Sequence, residues 1–95
     1  MEPNIEQIRQ MIIDGRVDEA IALCDACLAR DNISETDRAM LFYHRGNAYR
    51  KRGDLRMALN SYHESSSLDE HSPAVQAIRV MQDILDFYDK DRYNP

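Results

Sequence analysis

A chain of 95 residues and 11.1 kDa is the size of one small domain, able to bury only roughly 60–70% of the surface its unfolded form exposes, which excludes a two-domain enzyme. Seventeen acidic against twelve basic residues leave a net charge of −5 and a pI near 5.0, so neither nucleic acid nor an anionic membrane is an expected partner. With 43% hydrophobic and 31% charged residues but only three Gly and three Pro, the chain is too apolar for disorder and too poor in breakers for an all-β fold.

Thr occurs once and Val three times, while Ala, Leu, Met, Gln, Glu, Arg and Lys fill the interiors, so the expected fold class is all-α. The first helix spans residues 5–14, where Ile5, Ile8, Met11 and Ile12 recur at helical spacing and Gly15 supplies a left-handed stop. The second covers about 18–30, with Ala20, Ile21, Cys24, Cys27 and Leu28 in the same rhythm before Asp31-Asn32 interrupts it. Ser34-x-x-Asp37 resembles a capping box and opens a third helix that runs to Arg52 and stops at Gly53. Asp54 can cap a fourth, to about Asp69. Ser72-Pro73, an N-cap residue followed by proline at the first helical position, starts a fifth that ends near Lys90. Connections this short make neighbouring helices antiparallel.

The chain repeats itself at an offset of 38 residues. Gly15 matches Gly53, Val17 matches Leu55, Ala20 matches Ala58, Ile21 matches Leu59, Cys24 matches Tyr62 and Cys27 matches Ser65. Helix-turn-helix units repeating at about this period are the mark of a helical solenoid. Phe42, Gly46, Tyr49, Gly53-Asp54, Ala58, Tyr62 and Leu68-Asp69 stand at tetratricopeptide spacing, and the chain resembles the tetratricopeptide repeat family on these residues. The resemblance covers residues 39–72 well. Residues 1–34 match as a degenerate terminal repeat in which Ile8 occupies the glycine position, 73–90 as a capping helix and 91–95 as a tail. It implies two antiparallel hairpins plus a capping helix in a right-handed superhelix, and non-catalytic protein recognition in a concave groove. Independently of the family, Gly46 inside a helix costs roughly 1 kcal/mol relative to alanine. A close approach to Ala58 across the hairpin, with Tyr49, Leu59 and Tyr62 filling the sides, is the expected compensation.

Positive charge concentrates around the third helix at Arg38, Arg45, Arg50, Lys51, Arg52 and Arg56. By the resemblance, groove positions carry Met40, Tyr43, Asn47, Arg50 and Lys51, with Arg9 equivalent to Asn47 in the first copy, and the polar contacts fall to Arg9, Tyr43, Asn47, Arg50 and Lys51. These five residues are the expected peptide-binding set, suited to an acidic or carboxylate-terminated protein segment because arginine binds carboxylates in a bidentate fork. The plain alternative is a solvated basic face. The carboxylate clamp by which some family members hold chaperone tails needs Lys, Asn, Asn, Lys and Arg. Here Ile5, Arg9, His44, Val75 and Arg79 stand at those positions, so the resemblance does not imply a chaperone-tail adaptor.

Cys24 and Cys27 could form a thiol or metal site, but they lie mid-helix and His44, His63 and His71 are scattered, so buried packing is the expectation and no metal or cofactor is implied. Ser61, His63, Glu64 and Ser65 do not read as a catalytic set, since neighbours on one helix point in different directions. The Ser65–Ser67 run is a weak phosphate acceptor. The fifth helix is broadly apolar. Ala77, Ile78, Met81, Ile84 and Leu85 are expected to cap the second hairpin, joined on the stripe by Ala74 and Tyr88, while Val80 and Phe87 beside them offer a homodimerisation surface and Asp83, Asp86, Asp89 and Asp91 a wet face. Residues 1–4 show no signal-peptide character, no eighteen-residue apolar stretch is present, and two cysteines suit a reducing compartment, so a cytoplasmic location is expected.

Overall fold

Two turns of identical construction set the architecture. Gly15 (φ 86°) and Gly53 (φ 93°) both take the left-handed conformation that an L side chain resists. In the first, Arg16 N–H donates to Met11 O at 2.8 Å and Gly15 N–H to Ile12 O at 3.1 Å. In the second, Asp54 N–H donates to Tyr49 O at 2.9 Å and Gly53 N–H to Arg50 O at 3.0 Å. Each is the paired Schellman arrangement that satisfies the last carbonyls of a helix and turns the chain back.

A computed structural model describes residues 4–93, with side-chain environments for 4–87. The side chains of Tyr88, Asp89 and Asp91, and residues 94–95 of the tail, lie outside the described residues. Five helices follow in order and no strand occurs among the described residues: α1 (Ile5–Ile13), α2 (Val17–Leu28), α3 (Glu35–Arg52), α4 (Leu55–Leu68) and α5 (Ala74–Tyr93). The fold is all-α. The expected boundaries hold to within two residues except in α5, which continues past Lys90 to Tyr93. Ser34 Oγ accepts from Asp37 N–H at 3.1 Å and Asp54 Oδ1 from Met57 N–H at 3.2 Å, so both side-chain caps form as the sequence implies. Ser72 Oγ accepts from Ala74 N–H at 3.1 Å and pairs with Ser65 Oγ, which donates to Ala39 O at 2.5 Å. Ser65 is thereby buried, and unavailable as a phosphate acceptor.

Each helix packs on the next, and α3 also touches α1. One core cluster joins α1, α2 and α3 through Ile8, Ile12, Ile21, Cys24, Cys27 and Leu41; the other joins α4 and α5 through Ala58, Tyr62, Ala74 and Met81, with Tyr49 of α3 packed against both. The 38-residue repeat is visible in burial. Ala20 and Ala58, Cys24 and Tyr62, and Cys27 and Ser65 are all buried.

The compensation for Gly46 differs from the expected one. The atoms nearest to a Cβ built there belong not to Ala58 but to the ring of Tyr62, at 2.5 Å from both Cδ1 and Cε1. In the first repeat the equivalent positions hold Ile8 and Cys24, both fully buried in one cluster. At the 38-residue offset the sizes are exchanged, large Ile8 and small Cys24 in the first hairpin against Gly46 and large Tyr62 in the second.

A second correction concerns α5. Met81 is 2% exposed and packs inward, whereas Ile84 is 39% exposed and does not belong to the capping face. Val80, Ile84 and Phe87, at i, i+4 and i+7, share one outward stripe. No helix among the described residues is long and apolar enough to cross a membrane.

Much of the basic charge of α3 ties helices together. Arg38 donates to the carbonyls of Leu28 (3.1 Å) and Arg30 (3.2 Å) at the end of α2, and Arg52 meets Asp18 at 3.2 Å. Arg45 bonds Asp25 of α2 at 2.8 Å and Ser61 of α4 at 2.9 Å while its guanidinium lies 5.0 Å from the Tyr49 ring centroid. Three helices are thus pinned by one side chain, by charge-assisted bonds and a cation–π contact.

Candidate functional site

The C-terminal half of α1 is held against α3 by Lys51, whose ammonium donates to Ile12 O at 2.6 Å and Ile13 O at 3.3 Å. A cation on the last carbonyls of a helix also complements the negative end of its dipole. Between the helices so joined lies a cleft of about 340 Å³, lined by Arg9, Ile12 and Ile13 from α1 and by Tyr43, His44 and Asn47 from α3. Three of the five expected binding residues meet here. Lys51 does not line the cleft but builds it, and Arg50 is exposed outside its lining.

The walls are chiefly carbon. Ile12 is buried beneath, Ile13 stands at the rim with 55% of its surface exposed, and the Tyr43 ring lies 5.1 Å from that of His44 and 6.1 Å from that of Tyr62. Polar groups are few and placed. Arg9 is exposed and bonds Glu6 through Nη2 (2.6 Å) and Nε (3.0 Å), holding the Glu6 carboxyl below its ordinary range. Asn47 Oδ1 accepts the Tyr62 hydroxyl at 2.6 Å, which leaves the Asn47 amide NH2 to donate elsewhere. Burial pushes the Tyr62 phenol up, opposed by the nearby Arg50 guanidinium. His44 is buried, and its imidazole is held below the ordinary histidine value first by that burial and then by Arg9, with Glu6 opposing. An Arg9–Glu6 ion pair at the mouth, aliphatic walls and a few hydrogen-bonding groups suit reversible binding of an extended segment that pairs an aliphatic with a polar side chain.

Sequence reasoning missed Ile12, Ile13 and His44 as parts of this site. Ile13 carried a signal, since it falls outside the inward rhythm of Ile5, Ile8, Met11 and Ile12. His44 carried one too, since the resemblance sets it at a clamp position of the groove, although its residue type differs from the asparagine expected there.

The other candidate constellations do not assemble. Cys24 and Cys27 are both buried, and the Cys24 thiol is pushed up to about 12 by burial and the Asp25 carboxylate, so it is neutral and unreactive. Among the described residues no group of three or more His, Cys, Asp and Glu is arranged to hold a metal ion. Ser61 and Ser65 point into the interior while His63 and Glu64 face solvent. Comparison with protein-family models, with curated proteins and with solved structures gives no match for this chain.

Proposed function

We propose that the chain is a tetratricopeptide-like stack of helical hairpins that binds an extended, acidic segment of a partner protein, without catalysis, in the cleft between α1 and α3. The observation that carries this reading is the convergence of Arg9, Tyr43 and Asn47, from helices far apart in sequence, on one cleft with aliphatic walls. The hairpin reading is supported by the matched glycine turns at 15 and 53 and by the matched burial at the 38-residue offset. Chemical-shift mapping with acidic peptides tests the site. Perturbations are expected at Arg9, Tyr43 and Asn47, with affinity falling as salt rises because the exposed guanidinium is screened within about 8–10 Å. Changes confined to α2 and α4 would remove the cleft from consideration. Arg50→Glu, outside the lining but beside the Tyr62 hydroxyl that bonds Asn47, should weaken binding and leave the fold intact.

A second reading, self-association, is favoured by the exposed stripe of Val80, Ile84 and Phe87 on α5. These three side chains present roughly 250 Å² per copy, against about 800 Å² per partner in a stable interface. Association through this stripe alone is therefore weak. A constant monomer mass in sedimentation across a wide concentration range would end this reading.

A further inference from the structure

Five large apolar side chains stand exposed among the described residues: Ile13, Leu55, Val80, Ile84 and Phe87. Their places in the fold are not scattered. Consecutive helices joined by turns this short alternate in direction, so α1, α3 and α5 finish at one end of the bundle, where α4 begins. Ile13 closes α1 and Leu55 opens α4 at that end, and Val80, Ile84 and Phe87 lead towards it along one face of α5. At the opposite end Ile5, Leu28, Ile33 and Leu68 are all half-buried. Exposed apolar area gathered at one end of a small domain marks a surface that is covered in use.

Charge divides this end into two sectors. Beside Ile13 and Leu55 stand Arg16, Arg50, Arg52 and Arg56, all exposed. Arg16 and Arg52 are held by Glu19 and Asp18, whereas Arg50 and Arg56 meet no carboxylate among the described residues. On α5, Asp83 and Asp86 are exposed and meet no cation among the described residues. Asp83 borders the apolar stripe directly, three residues after Val80 and four before Phe87. From Met57 to Phe87 the chain has five acidic residues and one basic, Arg79, so the stripe of α5 lies on an anionic surface while Ile13 and Leu55 lie on a cationic one.

We propose that this end is a self-complementary interface through which two copies of the chain associate about a two-fold axis, the acidic stripe of α5 in each copy lying on the cationic sector around Ile13 and Leu55 in the other. This rests on the self-association reading above and names the surface that the stripe meets. Stripe against stripe is the poorer match, because a symmetric antiparallel pair centred on Ile84 sets Asp83 beside the Asp83 of the other copy. In the crossed arrangement Asp83 and Asp86 meet Arg50 and Arg56 instead, and the two-fold axis forms each contact twice. The area agrees. Together the five side chains present roughly 400 Å² per copy, close to the nonpolar part of the about 800 Å² that each partner buries in a stable interface. Ion pairs at such a rim add little affinity each, but they fix which sector meets which and make association fall as salt rises.

Sedimentation velocity of the whole chain across a wide concentration range tests this, with circular dichroism to check that each variant keeps its fold, as exposed substitutions should. The parent is expected to pass from monomer to dimer and stop there, and to associate more weakly at high salt. Asp83→Arg with Asp86→Arg, and separately Arg50→Glu with Arg56→Glu, should each weaken self-association at least about tenfold by setting like charges against each other. Mixing these two variants should restore a dimer, because both sectors are then cationic in one copy and anionic in the other. Ile13→Ser and Phe87→Ser should weaken association alike. Association lost in Phe87→Ser but untouched by the arginine reversals and by Ile13→Ser overturns the crossed pairing, while the self-association reading survives as stripe against stripe. A monomer at every concentration overturns both. A mixture of the two charge variants that stays monomeric, or a parent that grows past the dimer, overturns the two-fold arrangement.

Discussion

Replacing Gly46 with alanine tests the packing swap that distinguishes the two hairpins. On helix propensity alone the change should stabilise α3 by about 1 kcal/mol. The new methyl would lie 2.5 Å from two carbons of the Tyr62 ring, against about 3.5–4.0 Å at optimal contact, so the ring must shift by roughly 1 Å. It has little freedom to do so, being 0% exposed and bonded through its hydroxyl to Asn47 at 2.6 Å. Overpacking of this kind costs typically 1–3 kcal/mol, and the upper end applies to a clamped ring, leaving a net loss of about 2 kcal/mol. For a domain of this size that is roughly 8–16 °C in Tm. Thermal and urea unfolding followed by far-UV circular dichroism measures it, and the decisive comparison is the same substitution in a Tyr62→Leu background. There the clash is relieved, and Gly46→Ala should be neutral or stabilising by up to about 1 kcal/mol, giving a coupling energy of about 2–3 kcal/mol between the sites. A Gly46→Ala protein as stable as its parent, or an equal loss in both backgrounds, would refute the reasoning.

The thiols of Cys24 and Cys27 should react with an aromatic disulfide reagent only as fast as the protein opens, since both are buried and the former is pushed up to about 12; immediate stoichiometric labelling of the native state would contradict this. Cys27→Ala should be mild, whereas Cys27→Phe should cost roughly 1–3 kcal/mol in urea unfolding by overpacking. On α5, Met81→Asp should abolish cooperative folding by placing a charge in the core, while Ile84→Asp, at an exposed position, should shift stability by no more than about 0.5 kcal/mol; equal behaviour of the two would sink the assignment of faces. His44 is held below the ordinary value of about 6.5 that it regains on unfolding, so the unfolded chain binds the extra proton first. Stability from this group is complete above about pH 6.5 and declines as pH falls toward the folded value, a slope in the urea midpoint that His44→Asn should remove.

The helices, their glycine stops and the Ser34 and Asp54 caps were legible in the sequence because each depends on residues within one or two turns of chain. The apolar rhythm likewise identified most inward faces, and the offset of 38 residues exposed the repeat. What the chain alone could not decide is which side chain meets which across helices. Gly46 needs a large neighbour, but nothing local distinguishes Tyr62 from Ala58 as the group that approaches it most closely, and only the fold buries Ile8 in one cluster with the small Cys24. Likewise, the cations of α3 formed one basic cluster by composition. Only the tertiary fold separated Lys51, which holds the end of α1, and Arg45, which pins α2 and α4, from the open Arg50. A long side chain's role is set by whichever carbonyl or carboxylate lies within its reach, and residues 39 apart come within that reach only after α1 has packed on α3. The cleft arises from the same packing: its depth is the gap left between two helices, and His44 became a candidate contact because that gap opens beside its ring.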